Sequence, residues 1–397
     1  MNPDFLELTI ERIVHNGLGL ARSQGKVIFI PAVAPDERVV CQIEDEQKNY
    51  AYARLVQVLE PSPHRIIPEC PYFPLCGGCQ LAHIDYPYQL QLKREILAEA
   101  LKRITKLNLS DIEAPVPSVS IFSYRLRLRF HIQNQKIGFQ AQKKKEFIQI
   151  ENCLLARKEI QEAVPALKNL IQRPSLSQAR EIEVDFNPET GLVSARLSSQ
   201  SQEVFIYRNQ EFVQSSLAKK DLLRLLSFVQ PNFEQNLNLR KLLSLLAQNL
   251  KAKTGLELFS GAGNLSFELA KILEKLVSVE INQSAIELAE IRKAELGFNN
   301  IQLLAQSSES YLNYALKKGL SYDLIILDPP RAGAKKEIEK IISIKPKAII
   351  YASCEPTTLA RDIKKLLSAG YQLEKIIPLD MFPQTFHIES VSLLKKS

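Results

Sequence analysis

A chain of 397 residues that is 45% hydrophobic and 24% charged has room for two or three domains with real cores, which excludes a disordered or fibrous protein. Its net charge of +7 is mild and fits a nucleic-acid partner without requiring one. No apolar run approaches the about 18 residues of a membrane span, and Met1-Asn2-Pro3-Asp4 carries no basic-then-apolar signal, so a cytoplasmic protein with no membrane partner is expected.

Residues 1–60 read as short strands. Phe5 to Ile10, Lys26 to Ile30, Glu37 to Ile43 and Tyr50 to Leu59 are separated by Gly and Pro turns, which predicts a small β-barrel. Pro61, Pro63 and Pro68 then mark a linker.

Cys70, Cys76 and Cys79 follow with C-x5-C-x2-C spacing, and Gly77 and Gly78 free the backbone to wrap a metal centre. Three thiolates need a fourth ligand, for which His83 and Cys153 are the candidates. The uneven spacing favours a [4Fe–4S] cluster over zinc, whose sites more often come as two short Cys pairs. Cys41 has no partner in spacing and is expected in a core.

Residues 86–104 carry Leu90, Leu97, Leu101 and Ile104 at helical spacing and are expected to pack on the C-terminal part of the chain. From Ser123 to Phe130 the period is two, with Arg125, Arg127 and Arg129 on one strand face and Leu126, Leu128 and Phe130 on the other. With Lys143-Lys144-Lys145 nearby, the basic face is either solvated or a phosphate contact. Further short strands make residues 61–210 a β-rich central domain. Glu211 to Ser216 reads as a connector into the third domain, 211–397, and helices are predicted over about 217–229 and 237–252.

From residue 255 strands alternate with helices, which predicts an α/β, doubly wound, mainly parallel sheet. Ser260-Gly261-Ala262-Gly263-Asn264 follows the first strand, and Glu280 ends the next, placed to accept from both hydroxyls of a ribose. The third glycine of a pyrophosphate fingerprint is missing, so S-adenosylmethionine suits the loop better than a dinucleotide. Asp328-Pro329-Pro330 holds a carboxylate at the end of the fourth strand. Cys354 ends the fifth, where a thiol is either a small buried residue or a nucleophile.

DPPRAG at 328–333, SCEPTTLARD at 353–362 and DMFPQTFHIESV at 380–391 resemble, in order, the signature motifs of the RNA uracil-C5 methyltransferases. Residues 1–60 resemble the TRAM domain, an OB-like barrel of RNA-modifying enzymes, and with the cysteines they match the family's iron–sulfur branch. The resemblance implies a Rossmann-like class I methyltransferase domain, S-adenosylmethionine as methyl donor and a [4Fe–4S] cluster on Cys70, Cys76, Cys79 and Cys153. It implies Cys354 as nucleophile and Glu389 as base, with Gln214, Phe259, Asn264, Glu280 and Asp328 at the cofactor-binding positions. Its substrate would be a single-stranded or loop uridine, in 23S ribosomal RNA or, alternatively, transfer RNA. A non-catalytic iron–sulfur RNA-binding protein is the reading from another class. Two departures stand out: Glu355 follows the nucleophile where the family generally has Asn, and Gln384 stands where His is common.

Overall fold

The computed structural model describes residues 5–105, 112–141, 146–197 and 203–396. Met1-Asn2-Pro3-Asp4 and Lys143-Lys144-Lys145 lie outside the described residues. Six strands form the first sheet: β1 (Phe5–Thr9), β2 (Arg12–Val14), β3 (Leu18–Ser23), β4 (Lys26–Ile30), β5 (Arg38–Glu46) and β6 (Tyr50–Glu60), in the order β1-β5-β6-β4-β3-β2. The two edges, β1 and β2, are consecutive halves of one segment. The sheet closes where that segment bends, with Ile10 N–H donating to Glu37 and Glu11 N–H to Leu20 of β3. The inward positions of the alternating strands, among them Ile28, Ile30, Val39 and Cys41, fill its core.

Helix α1 (Tyr86–Thr105) follows the linker. Asp85 caps it, accepting from Tyr88 N–H at 3.0 Å. Leu97 and Leu101, one turn apart, bury in the core of the C-terminal unit. The central sheet is antiparallel throughout. It contains β7 (Arg127–Gln133), β8 (Lys136–Gln140), β9 (Phe147–Gln149), β10 (Glu181–Asn187), β11 (Leu192–Leu197), β12 (Val204–Arg208) and β13 (Glu211–Gln214), in the order β13-β12-β11-β10-β7-β8-β9. Helix α2 (Lys158–Leu170) packs Ala163 and Leu167 into one core with Leu128, Phe130, Ile182 and Val184.

The opposite face of β7 carries arginines, as the period of two predicts. The neighbouring strand answers them with acid: Arg129 is in register with Glu183 and Arg127 with Asp185. Arg127 and Arg129 each approach Glu183 at 3.4 Å, and Arg127 also bonds Asp185. Glu211–Gln214, read above as a connector, is an edge strand: Phe205 pairs with Gln214 and Tyr207 with Phe212. The central sheet therefore runs to residue 214.

Two helices follow, α3 (Lys219–Leu226) and α4 (Phe233–Asn249). The second starts four residues earlier than periodicity predicts because Asn232 caps it, accepting from Gln235 N–H at 3.1 Å. The last sheet holds β14 (Thr254–Leu258), β15 (Lys275–Glu280), β16 (Ile301–Ala305), β17 (Leu324–Leu327), β18 (Ala348–Ser353), β19 (Tyr371–Leu379) and β20 (Glu389–Lys396). Their order is β16-β15-β14-β17-β18-β20-β19; β14 to β18 are parallel and β20 is antiparallel to both neighbours. Helices α5 (Ser266–Ala270), α6 (Gln283–Leu296), α7 (Ser308–Lys317), α8 (Lys335–Ile344) and α9 (Pro356–Ser368) supply the crossovers.

An apolar run such as Leu324 to Leu327 serves both faces of this sheet. Leu324 and Ile326 join one core, and Ile325 and Leu327 the other. Among the described residues no helix is long and apolar enough to cross a membrane.

Candidate active site

The chain enters β14 in the middle of the sheet, builds β15 and β16 on one side, then returns to build β17 and β18 on the other. This reversal opens a crevice at the carboxyl ends of β14 and β17. Four of the predicted site residues follow those ends directly: Phe259 after β14, Glu280 closing β15, Asp328 after β17 and Cys354 after β18. Glu389 arrives from the other direction, as the first residue of antiparallel β20. Ser353 is in register with Ser390, the last pair of the two strands, so Cys354 leaves β18 where Glu389 enters β20, near enough for the carboxylate to act on the thiol. The sheet thus brings to one end two residues that are distant in sequence.

The loop after β14 is tightly folded. Phe259, Gly261 and Gly263 all take positive φ. A Cβ on Gly263 would stand 2.5 Å from the Phe267 ring, so only glycine fits there. Glu280 accepts from Gly261 N–H at 3.0 Å and from Asn282 N–H at 2.9 Å, which fixes its carboxylate under the loop. Asn264 forms a reciprocal amide pair with Asn236 of α4, both bonds 2.9 Å. Gln214 comes from the central sheet, exposed at the end of the edge strand β13. The helix after it, α3, is tied to α6 by Lys219–Glu287 at 3.2 Å and Lys220–Glu295 at 2.8 Å.

Acid accumulates around the thiol. Burial pushes Glu257 up to about 7, even though Ser266 and Ser278 donate to it. Burial likewise raises Asp328, to about 7, and raises Glu389 well above the carboxylate range, with Asp328 repelling it further. Burial, then repulsion from Glu389 and Asp328, pushes the Cys354 thiol up to about 11, while Arg331 opposes the shift. Arg331 Nη2 also lies 3.4 Å from His387 Nε2. Burial first, then Arg331, lowers His387 to about 4 and keeps it neutral.

The segment leading into Glu389 is held from below by α1. Lys93 is fully buried and donates to Asp380 at 2.5 Å and to the Phe382 carbonyl at 2.9 Å. Gln89 and Gln384 bond reciprocally: the Gln89 amide donates to the Gln384 side chain at 3.0 Å, and Gln384 N–H to Gln89 Oε1 at 3.0 Å. Periodicity did not mark Gln89 and Lys93 as functional. The available signal was their spacing of four with Leu97 and Leu101, which puts two polar residues on an apolar stripe and demands buried partners.

Cys70, Cys76, Cys79 and Cys153 line one cavity of about 320 Å³, together with Arg125 and Gln384. All four are free thiols. Burial pushes Cys76, Cys79 and Cys153 up, and Arg125 opposes this in each. A soft, four-thiol donor set around one space fits an iron–sulfur or zinc centre. Among the described residues, no three His, Cys, Asp or Glu side chains converge closely enough to hold one metal ion as they stand. His83, the other candidate ligand, is not in the cavity lining; it is buried and stacked on Phe73 at 5.3 Å. Cys41 is buried in the barrel core.

Comparison with known proteins adds to this geometry. The family described as tRNA (Uracil-5-)-methyltransferase matches residues 189–397, and the TRAM domain matches residues 4–56. An RNA methyltransferase of Aquifex aeolicus is 32% identical over 98% of this chain and 98% of its own length. A 23S rRNA (uracil(1939)-C(5))-methyltransferase of Shewanella woodyi is 32% identical over 99% of this chain and 96% of its own. The crystal structure of Pyrococcus abyssi tRNA (uracil-54, C5)-methyltransferase, in complex with S-adenosyl-L-homocysteine, superposes with a TM-score of 0.73. It is 25% identical and covers 98% of this chain and 100% of its own.

Proposed function

The chain belongs to the tRNA (Uracil-5-)-methyltransferase family, with a TRAM domain at its N-terminal end, and on that premise we propose a mechanism, a site and a target for it. It is an S-adenosylmethionine-dependent enzyme that methylates C5 of uracil in RNA. In the proposed mechanism Cys354 is the nucleophile and Glu389 the base. The observation that carries this reading is the pairing of Ser353 with Ser390, which brings the residues flanking that pair, Cys354 and Glu389, to the same end of the sheet and within electrostatic reach.

Uracil C5 is a poor nucleophile. Cys354, having lost its proton to solvent, adds as the thiolate to C6, forming a C–S bond and sending the electron pair of the C5–C6 double bond towards the C4 carbonyl as an enolate. C5 of that enolate would then attack the methyl carbon of the donor's sulfonium, the S–CH3 bond breaking with its electron pair returned to sulfur, which leaves as a neutral thioether. Glu389 removes the C5 proton, the electron pair re-forms the C5–C6 double bond, and the Cys354 thiolate leaves. S-adenosylmethionine supplies the methyl group on a sulfonium. Glu280, Asp328, Phe259, Asn264 and Gln214 are proposed to hold it, with Glu280 accepting from the ribose hydroxyls. The uridine must leave its stack to reach Cys354, which favours a loop or single-stranded target.

Ribosomal RNA is the proposed target class. The support is that relatives spanning the whole chain, barrel included, are named for 23S rRNA. Transfer RNA is the alternative, supported by the solved tRNA (uracil-54, C5)-methyltransferase. Cys70, Cys76, Cys79 and Cys153 are proposed to hold a [4Fe–4S] cluster, with zinc as the alternative; in either case the metal would tie the linker to the central sheet. A cytoplasmic location follows from the substrate. The decisive experiment maps 5-methyluridine by nucleoside mass spectrometry in rRNA and tRNA from cells with and without the gene. One 23S position lost on deletion supports the proposal, and a loss confined to tRNA replaces the target.

A further inference from the structure

The barrel meets the nucleophile loop through the turn between β2 and β3. His15 in that turn places Nε2 3.5 Å from Glu355 Oε2, and Glu355 is the residue next to Cys354. The His15 ring stands edge-on to Phe386 at 5.4 Å between centroids, and Phe386 rests on His387 at 4.1 Å. The turn is closely seated: a Cβ on Gly17, at φ +72°, would lie 2.7 Å from Gln80 Cβ and 3.3 Å from Phe386 Cβ. His15 Nδ1 is buried without a hydrogen-bond partner among the described residues, so Nε2 is the ring's polar anchor.

On the other side, Glu355 caps α9 by accepting from Thr357 N–H at 3.4 Å. Its own N–H donates to Ser353 Oγ at 3.2 Å. One residue, Glu355, therefore joins the start of α9 and the barrel through its carboxylate and the Cys354 loop through its backbone. A polar contact this exposed, 37% and 21% for the two side chains, adds little to global stability. Its effect falls on where the loop sits.

We propose that His15 is a positioning residue for the nucleophile. Through Glu355 it sets the Cys354 loop when the barrel is docked, so that the barrel and the reactive thiol are placed as one body. The effect on turnover rests on the methyltransferase reading. The effect on the thiol does not.

The test uses the full-length protein with His15→Ala, Glu355→Ala, the double variant and Glu355→Gln, which keeps a hydrogen-bond acceptor. Iodoacetamide labelling of Cys354 is followed by peptide mass spectrometry, with buried Cys41 as the internal control for unfolding. Each alanine variant is expected to change the Cys354 labelling rate about three- to tenfold, the double variant no more than either single, and the glutamine variant only slightly. On RNA substrate, kcat of the alanine variants is expected to fall about tenfold while KM for S-adenosylmethionine stays constant. Unchanged labelling, multiplicative effects in the double variant, or a glutamine variant as altered as the alanine one would each overturn the proposal. If the unsubstituted protein transfers no methyl group, the methyltransferase reading falls and the labelling rates still decide the coupling.

Discussion

Cys354 sits in surroundings that resist its ionisation, and this has measurable consequences. Because burial and two carboxylates raise the thiol to about 11, its thiolate is scarce near neutral pH and grows as pH rises towards that value. Labelling of Cys354 by iodoacetamide is expected to rise about tenfold per pH unit between pH 8 and 10. Arg331→Ala, which removes the opposing positive charge, is expected to shift that profile to higher pH. A plateau near pH 8 would show that the free enzyme already stabilises the thiolate. The two carboxylates divide the labour differently. If Glu389 is the base, Glu389→Gln still permits addition and methyl transfer but blocks elimination, so a covalent RNA–protein adduct should accumulate on a denaturing gel. Cys354→Ser should form none. An adduct with the serine variant, or none with the glutamine variant, would remove the assigned roles. Among these residues, Cys354 and Asp328 were legible as strand-end positions, and Glu389 through its motif. Lys93, Gln89 and His15 were not, because each acts through a partner brought near only by folding.

Helix α1 shows the same division between local pattern and distant partner. Its apolar spacing identifies it in sequence, and Leu97 and Leu101 bury as that spacing requires. It also supplies the buried pair Lys93–Asp380, which ties the helix to the segment preceding Glu389. Lys93→Ala leaves a carboxylate buried without its partner and is expected to cost about 3–5 kcal/mol. Lys93→Met with Asp380→Leu, which removes both charges, should recover much of that loss in a urea titration. If the single variant unfolds at the same midpoint as the parent, the pair carries no structural role. Element boundaries moved where side chains made local bonds: Asn232 extends α4 at its start. Segment 211–214 became a strand because the exposed edge of β12 was available, a long-range fact that composition does not carry.

At the scale of the whole molecule, the three sheets meet around the segment from Asp380 to Glu389. Gln384 shows this most directly: it bonds α1, its carbonyl accepts from Gln80 and Leu81 N–H beside the last linker cysteine, both at 3.0 Å, and it lines the cysteine cavity. If the cavity holds the proposed cluster, protein purified without oxygen should be coloured and contain about four iron and four sulfide per chain. Cys153→Ala should lose them, and so lower the unfolding midpoint, because the metal would join residues far apart in the chain. Stoichiometric zinc without sulfide would replace the iron–sulfur assignment.

The basic strand shows the limit of sequence reading on this scale. The period of two placed Arg127 and Arg129 on one face, but the next strand supplies Glu183 and Asp185 in register, and both arginines pair within the sheet.

The sequence by itself determined the order of the three units, the doubly wound C-terminal sheet and the strand-end residues, because periodicity, turn residues and motifs are properties of short segments. Only the tertiary structure decided which distant groups come together: Cys354 near Glu389, Lys93 on Asp380, His15 against Glu355 and the two arginines against their acids. Burial, register and charge pairing depend on neighbours from other strands and helices, and no local pattern encodes who those neighbours are.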